Sequence, residues 1–179
     1  MPLPLLTSAR VLLRPATRAD ADGLQRHWNR RAVRRYLWDG MPVLSSQVEA
    51  VLAQQEHDLL TRAVGLFTLR PVDAPDRIVG CVGLRSLAGE TESAAPRHDL
   101  PPELFVSVDH SLRRQGVALR AAELVLQDAH ARAGLREVIA VVSPANTAAV
   151  QGLGRLGFRP RPAIVILGAP MPAWCRALP

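Results

Sequence analysis

The sequence predicts a mixed α/β sheet with helices on both faces, and three observations carry that prediction. The second half alternates strand, helix, strand, helix, strand, so its two inner strands are parallel if they share one sheet. The first half holds two apolar runs separated by the turn-rich "VDAPD", the pattern of an antiparallel meander. Between them, "LRRQGVALRA" (residues 112–121) places two arginines and a glycine between a strand and a helix. That is the carboxyl end of a strand, where open α/β sheets bind ligands.

The elements follow in order. Residues 10–16, "RVLLRPA", read as a first strand. Thr17, with Asp20 three residues on, stands before an amphipathic run over 18–28, close to a capping box. Residues 30–37 form a short second helix, ended by Gly40-Met41-Pro42. Ser46 is placed to cap a helix through residue 62, with Val48, Val51, Leu52, Leu59 and Leu60 near one face. Residues 63–71 and 76–84 are two strands of a hairpin. Residues 88–102, "AGETESAAPRHDLPP", are small, polar and proline-rich, so a mobile loop is expected there, not a linker between domains. Residues 103–109 form the fourth predicted strand, followed by a helix over 116–134 that stops on Gly134. A fifth strand (136–144), a short helix (146–157) and a last strand (163–168) complete the chain. No repeat or internal break is visible, so a single domain over residues 1–179 is expected.

Composition narrows the function. The 179 residues are 48% hydrophobic, enough for a sizeable core, and no apolar run has bilayer length. The start, "MPLPLLTSAR", lacks a basic-then-apolar leader pattern, so a cytoplasmic protein is expected. Cys81 and Cys175 are far apart and without metal-ligand neighbours, which speaks against a disulfide framework or a zinc site. All 22 basic residues are arginine and the formal charge is +6. This balance favours polyanionic partners, although a codon bias toward arginine has the same result. No basic helix face carries interleaved aromatics, so nucleic acid is not the expected partner.

The turn at 113–118 has specific chemistry. A helix start exposes unpaired N–H groups, and its dipole adds partial positive charge. Gly116, without a Cβ, lets the backbone approach a ligand, and Val117 and the small Ala118 continue the row. Arg113 and Arg114 add full charges beside Gln115. The result is a pyrophosphate cradle, or else a solvated basic turn; these residues alone leave both open.

Glu103-Leu104, then Gly116-Val117-Ala118, Asn146-Thr147-Ala148 and Leu156-Gly157-Phe158 follow one another in an order and spacing that resemble the GNAT acetyltransferases. Within them the pattern resembles N-terminal acetyltransferases acting on ribosomal proteins. The likeness covers roughly residues 10–160. It implies a GNAT fold whose fourth and fifth strands splay, with acetyl-CoA between them and no metal. It implies that backbone groups of Val106, Ser107 and Val108 pair with the pantetheine arm, and that residues 113–118 hold the pyrophosphate. It implies a bulge in the fourth strand aiming an N–H at the thioester oxygen. Asn146 would contact the cofactor or the substrate, or serve as a helix N-cap. Glu103 falls where the family has its glutamate and would act as general base, with burial raising its pKa. The alternative is an exposed strand-end residue paired with an arginine.

Two departures stand out. Ala149 replaces the family serine, and Phe105-Val106 replaces its Gly-Tyr. Tyr36, the only tyrosine, is far from that region in sequence. The ending "GAPMPAWCRALP" also departs from the longer terminal hairpin of the family. The five histidines form no constellation in sequence: His57 and His130 read as structural, and His98 and His110, although near the loop and the turn, are not expected to be catalytic. Trp28, Trp38 and Met41 line either an acceptor pocket or the core. The implied activity is N-acetyl transfer to an amine, a protein N-terminus first and a small amine second. A non-catalytic acyl-CoA-binding module is the rival. No membrane partner is expected, and a homodimer is left open.

Overall fold

The computed structural model describes residues 3–87 and 100–179. Most of the loop predicted over 88–102, His98 included, lies outside the described residues. The elements are β1 (Leu6–Thr7), β2 (Val11–Pro15), α1 (Ala21–Trp28), α2 (Arg31–Arg34), α3 (Ser45–Arg62), β3 (Leu66–Pro71), β4 (Gly80–Arg85), β5 (Glu103–Val108), α4 (Val117–Ala133), β6 (Glu137–Val141), α5 (Thr147–Arg155), β7 (Arg159–Ile166) and β8 (Ala169–Ala177). The strands form one sheet in the order β1-β2-β3-β4-β5-β6-β8-β7. Among the described residues β5 and β6 are the one parallel pair; the remaining neighbours are antiparallel. The fourth and fifth predicted strands are therefore β5 and β6.

Alternation along the strands divides the core between two faces. Phe67, Leu69, Val82, Leu84 and Leu104 pack on α4, whose buried stripe is Val117, Ala121, Ala122, Val125, Leu126 and Ala129. The steps of four and one in that stripe are the spacing of a single helix face. Leu153 of α5 joins the same cluster. Leu66 and Cys81 face the other way, onto Leu24 and Trp28 of α1, Val33 of α2, and Val48 and Leu52 of α3.

Local signals mostly hold where chemistry is local. Asp20 Oδ2 accepts from Thr17 N at 2.9 Å, closing the predicted box, and Oδ1 takes Arg70 at 2.5 Å. The cap of α3 is one correction. The helix starts at Ser45 behind Leu44, and Gln47 Oε1 accepts from Leu44 N at 2.8 Å; Ser46 lies inside the first turn. Its buried face is Val48, Leu52, Gln55 and Asp58, while Leu60 is exposed. Gln55 and Asp58 are buried because each has a backbone partner, Ala16 O and Ser86 N.

The C-terminus is a second correction: β7 and β8 form a long hairpin. Leu167 and Gly168 both have positive φ (48° and 79°), the backbone of a two-residue type I′ turn. Prolines concealed it. β7 is the edge strand, which tolerates Pro160 and Pro162, and its register shifts between Arg161 and Ile164. The β6–β8 ladder ends at Ala173, so the N–H groups that Pro170 and Pro172 lack have no partner to lose. β8 enters between β6 and β7, so the crossover through α5 does not join neighbouring strands.

Candidate functional site

The parallel pairing of β5 with β6 is a single register pair, Glu103 with Ile139, supported by Ile139 N donating to Pro102 O at 3.0 Å. Beyond it the two strands diverge toward their carboxyl ends and leave a wedge. On its other edge β5 runs in unbroken register with β4, from Arg85–Glu103 to Gly80–Val108. The bulge expected in this strand is therefore not there. Asp109 N donates to Val79 O at 2.8 Å, so odd-numbered residues turn their backbone groups to β4. By alternation Val106 and Val108 turn theirs into the wedge. Ser107 does not. Its backbone faces β4, which corrects its place in the expected trio.

Residues 113–118 stand at the mouth of this wedge. Asp109 caps a short turn by accepting from Ser111 N at 3.0 Å. Arg114 and Gly116 then take positive φ (60° and 73°), turning the chain so that α4 starts at Val117 with its first amides unpaired by the helix. A Cβ built on Gly116 meets nothing within 4 Å, so the space beside this backbone is open. Arg113 and Gln115 are tied to protein. Arg113 Nη2 donates to Ala32 O at 2.6 Å, and Gln115 lies between Arg10 (2.5 Å) and Ser111 O (2.7 Å). Arg114 is exposed. Ala118 is half-buried and Val117 buried, so the row contributes backbone and not side chains. His110 is exposed at the start of the capped turn.

The face of β5 away from α4 is a polar and aromatic wall. Glu103 is buried, and its Oε2 accepts from Arg85 Nε at 2.7 Å. The Arg85 guanidinium lies 5.5 Å from the centre of the Phe105 ring. Trp28 packs edge-on to Phe105 at 6.0 Å and against Trp38 at 5.8 Å. Trp28 is fully buried core, whereas Met41 is exposed. Trp38 holds φ 53°, and its buried Nε1 has no hydrogen-bond partner among the described residues. Ser107 Oγ lies 3.1 Å from His27 Nε2 and accepts from Trp28 Nε1 at 3.3 Å. Burial, aided by the Arg30 charge, pushes the His27 imidazole down to about 4, against the opposing hydrogen bond to Ser107. Cys81 pairs with Ser107 across the strands, and burial pushes its thiol up to about 12. It stays protonated at neutral pH and is no acyl-carrying thiolate.

The third wall is the entrance to α5. Asn146 caps this helix, its Oδ1 accepting from Ala149 N at 3.3 Å. The side-chain oxygen thus has the capping role, one of its two expected roles. Tyr36, remote in sequence, donates from its hydroxyl to Ala145 O at 3.2 Å, directly before Asn146. Sequence distance concealed this, since only the fold brings the segment after α2 against the loop before α5. His27, Arg85 and Tyr36 are the site neighbours that sequence reasoning missed. Arg85 alone had a signal, standing on the strand preceding Glu103. A cleft of about 470 Å³ among Asp58, Arg62, Ser86 and Pro102 lies at the other end of β5, away from the turn.

A wedge between parallel strands, a strand edge without a partner beyond its first residue and a glycine turn at a helix N-terminus together offer an extended, anionic ligand a row of backbone groups. The family of the acetyltransferase (GNAT) domain matches residues 10–159. The chain therefore belongs to the GNAT acetyltransferases, and it is an acetyl-CoA-dependent N-acetyltransferase. Solved structures share the fold. A GnaT-family acetyltransferase from Bordetella pertussis superposes with a TM-score of 0.81 at 20% identity, over 98% of this chain and 100% of that one. Ribosomal-protein-S5-alanine acetyltransferase from Vibrio fischeri gives 0.72 at 16% identity, over 98% and 97%. Spermidine N-acetyltransferase from Vibrio cholerae, in complex with CoA and spermine, gives 0.69 at 17%, over 95% and 96%. A search of curated proteins finds no match. Among the described residues no helix is long and apolar enough to cross a membrane, and no cluster of His, Cys, Asp and Glu is fit for a metal.

Proposed function

We propose that this chain is a single catalytic domain, working in the cytoplasm, that acetylates a protein or peptide N-terminal amine by direct transfer. The observation that carries the acetyl-transfer reading is the single-pair contact of β5 with β6 beside an open glycine turn. Acetyl-CoA supplies the activated acyl group when bound. Residues 113–118 hold the pyrophosphate with backbone N–H groups and the helix dipole. The unpaired backbone of Val106 and Val108 holds the amide-bearing arm, and an N–H in this row faces the thioester oxygen as charge develops on it. Asn146 keeps the α5 entrance in place beside that arm. Glu103, fixed by Arg85, takes the proton of the incoming ammonium directly or through a water. Both substrates are bound together, so the reaction gains from proximity and needs no covalent relay.

An N-terminal amine suits this machinery. Its pKa is about 8, against about 10.4 for an alkyl amine, so one carboxylate has less work to do. Acetyl-CoA binding is read by thermal shift, because a ligand of the native state alone raises Tm. The expected outcome is a clear rise for wild type and none for Gly116→Glu, with Gly116→Ala in between. The alanine variant carries the same φ strain without the bulk and charge. A folded Gly116→Glu with wild-type cofactor affinity sinks the cradle. Transfer is read by mass spectrometry over N-terminal peptides and small amines, and preferential acetylation of a polyamine sinks the acceptor assignment.

A further inference from the structure

The sequence places Arg30, Arg31, Arg34 and Arg35 within six positions. In isolation this is a solvated helix face. Its anchoring argues otherwise. Arg30 pairs with Asp109 just past the end of β5. Arg113 donates to Ala32 O at 2.6 Å, fastening α2 to the glycine turn. Tyr36 donates to Ala145 O at 3.2 Å, fastening the other end of the segment to the entrance of α5. The segment thus spans the open end of the wedge, from the end of one diverging strand to the helix that follows the other. Arg30 neutralises Asp109; among the described residues Arg31, Arg34 and Arg35 have no carboxylate partner. Arg31 and Arg35 are exposed, and Arg35 lies 5.2 Å from the Tyr36 ring centre. Like charges at this spacing weaken a helix, and α2 is only four residues long. The backbone that carries these charges is held in place by tertiary contacts against that local cost.

We propose that this arginine face selects the acceptor: a peptide whose N-terminal amine is followed by aspartate or glutamate in its first residues, and not a polyamine. The inference rests on the amine-transfer reading above. Guanidinium groups carried on an anchored backbone meet carboxylates with charge-assisted, often bidentate hydrogen bonds. The same field repels a second or third ammonium on a polyamine.

The test uses the purified full-length chain with CoA or acetyl-CoA and three acceptors. These are an acidic N-terminal peptide, the same peptide with Asp and Glu replaced by Asn and Gln, and spermidine. Binding of labelled peptide to the enzyme–CoA complex is followed by anisotropy, and turnover separately by mass spectrometry. The acidic peptide is expected to bind about tenfold more tightly than its amide twin at low salt, with the advantage shrinking as salt rises. R31E/R34E/R35E should invert that order while leaving the acetyl-CoA thermal shift in place. The milder R31Q/R34Q/R35Q should abolish the preference, which keeps the test valid if the charge-reversed chain folds poorly. Equal binding of the two peptides overturns the proposal, as does tighter binding of spermidine. Loss of acetyl-CoA affinity in the glutamine variant also overturns it, because the face then belongs to the cofactor phosphates. Selective peptide binding without any acetyl transfer supports the surface and sinks the catalytic reading, so the two failures are separable.

Discussion

Glu103 shows how one side chain takes its character from its neighbours. It opens β5 at the one point where β5 still touches β6, so it stands at the apex of the wedge. It is 6% exposed and bonded to Arg85. This is half of each sequence expectation, an arginine partner without the exposure. The pairing orients the carboxylate, and the Arg85–Phe105 contact holds the guanidinium from behind. Glu103→Gln keeps the shape and loses the base. Its expected effect is a fall in kcat of about a hundredfold or more at neutral pH, with unchanged acetyl-CoA affinity. The deficit narrows as pH rises and the amine arrives already deprotonated. A pH–rate profile on a confirmed acceptor checks this, and a variant equal to wild type at pH 7 removes Glu103 from proton transfer. Legibility at this scale followed sequence distance. Gly116 and Asn146 announced themselves through local backbone demands, a positive φ and an N-cap. Tyr36 and His27 did not, because their partners, Ala145 O and Ser107 Oγ, are 109 and 80 positions away in the chain.

At the scale of elements, strands with a partner on each side carry the fold and explain what the sequence did not disclose. β1 is two residues long and exists only through its pairing with β2. No periodicity can appear in so short a run. β8 carries two prolines that argue against a strand until its position shows that their missing N–H groups face no ladder. α4 was legible because its apolar stripe and both end glycines are properties of the segment itself. The sheet also sets a limit on β4. A Cβ at Gly83 falls 2.3 Å from Gly65 O and 2.5 Å from the Leu66 Cα. Both obstacles are backbone, which cannot swing aside as a side chain does. Gly83→Ala should cost about 1–3 kcal/mol, the usual range for overpacking. Denaturant titration reads the cost. Because β4 neighbours β5, acetyl-CoA affinity should fall in the same variant; unchanged stability excludes the clash.

The whole molecule places a buried histidine beneath the site. His27 is 1% exposed under β5, and its Nδ1 has no hydrogen-bond partner among the described residues. Folding holds the ring neutral, near pKa 4, whereas the unfolded chain lets it take a proton near 6.5. The unfolded state therefore binds more protons between these values, so stability falls as the solution is acidified. The contribution is complete above pH 6.5 and is lost as the pH drops through 4. Its full size is about 3 kcal/mol, a large share of the stability of a typical domain. Carboxylates titrate in the same window, so wild type alone does not isolate the imidazole. His27→Gln does, because glutamine reaches toward Ser107 and has nothing to protonate. The variant should start less stable at pH 7.5, since an amide replaces a packed ring. Between pH 7.5 and 4.5 it should then lose roughly 2–3 kcal/mol less than wild type by denaturant titration. The same ring meets the Ser107 hydroxyl that Trp28 also bonds, so protonation should loosen the wall that carries Phe105. Acetyl transfer by wild type should fall with the stability below pH 6 and recover on return to neutral pH. Parallel stability curves for the two proteins would show that burial does not hold this histidine neutral, and that acid acts on the fold elsewhere.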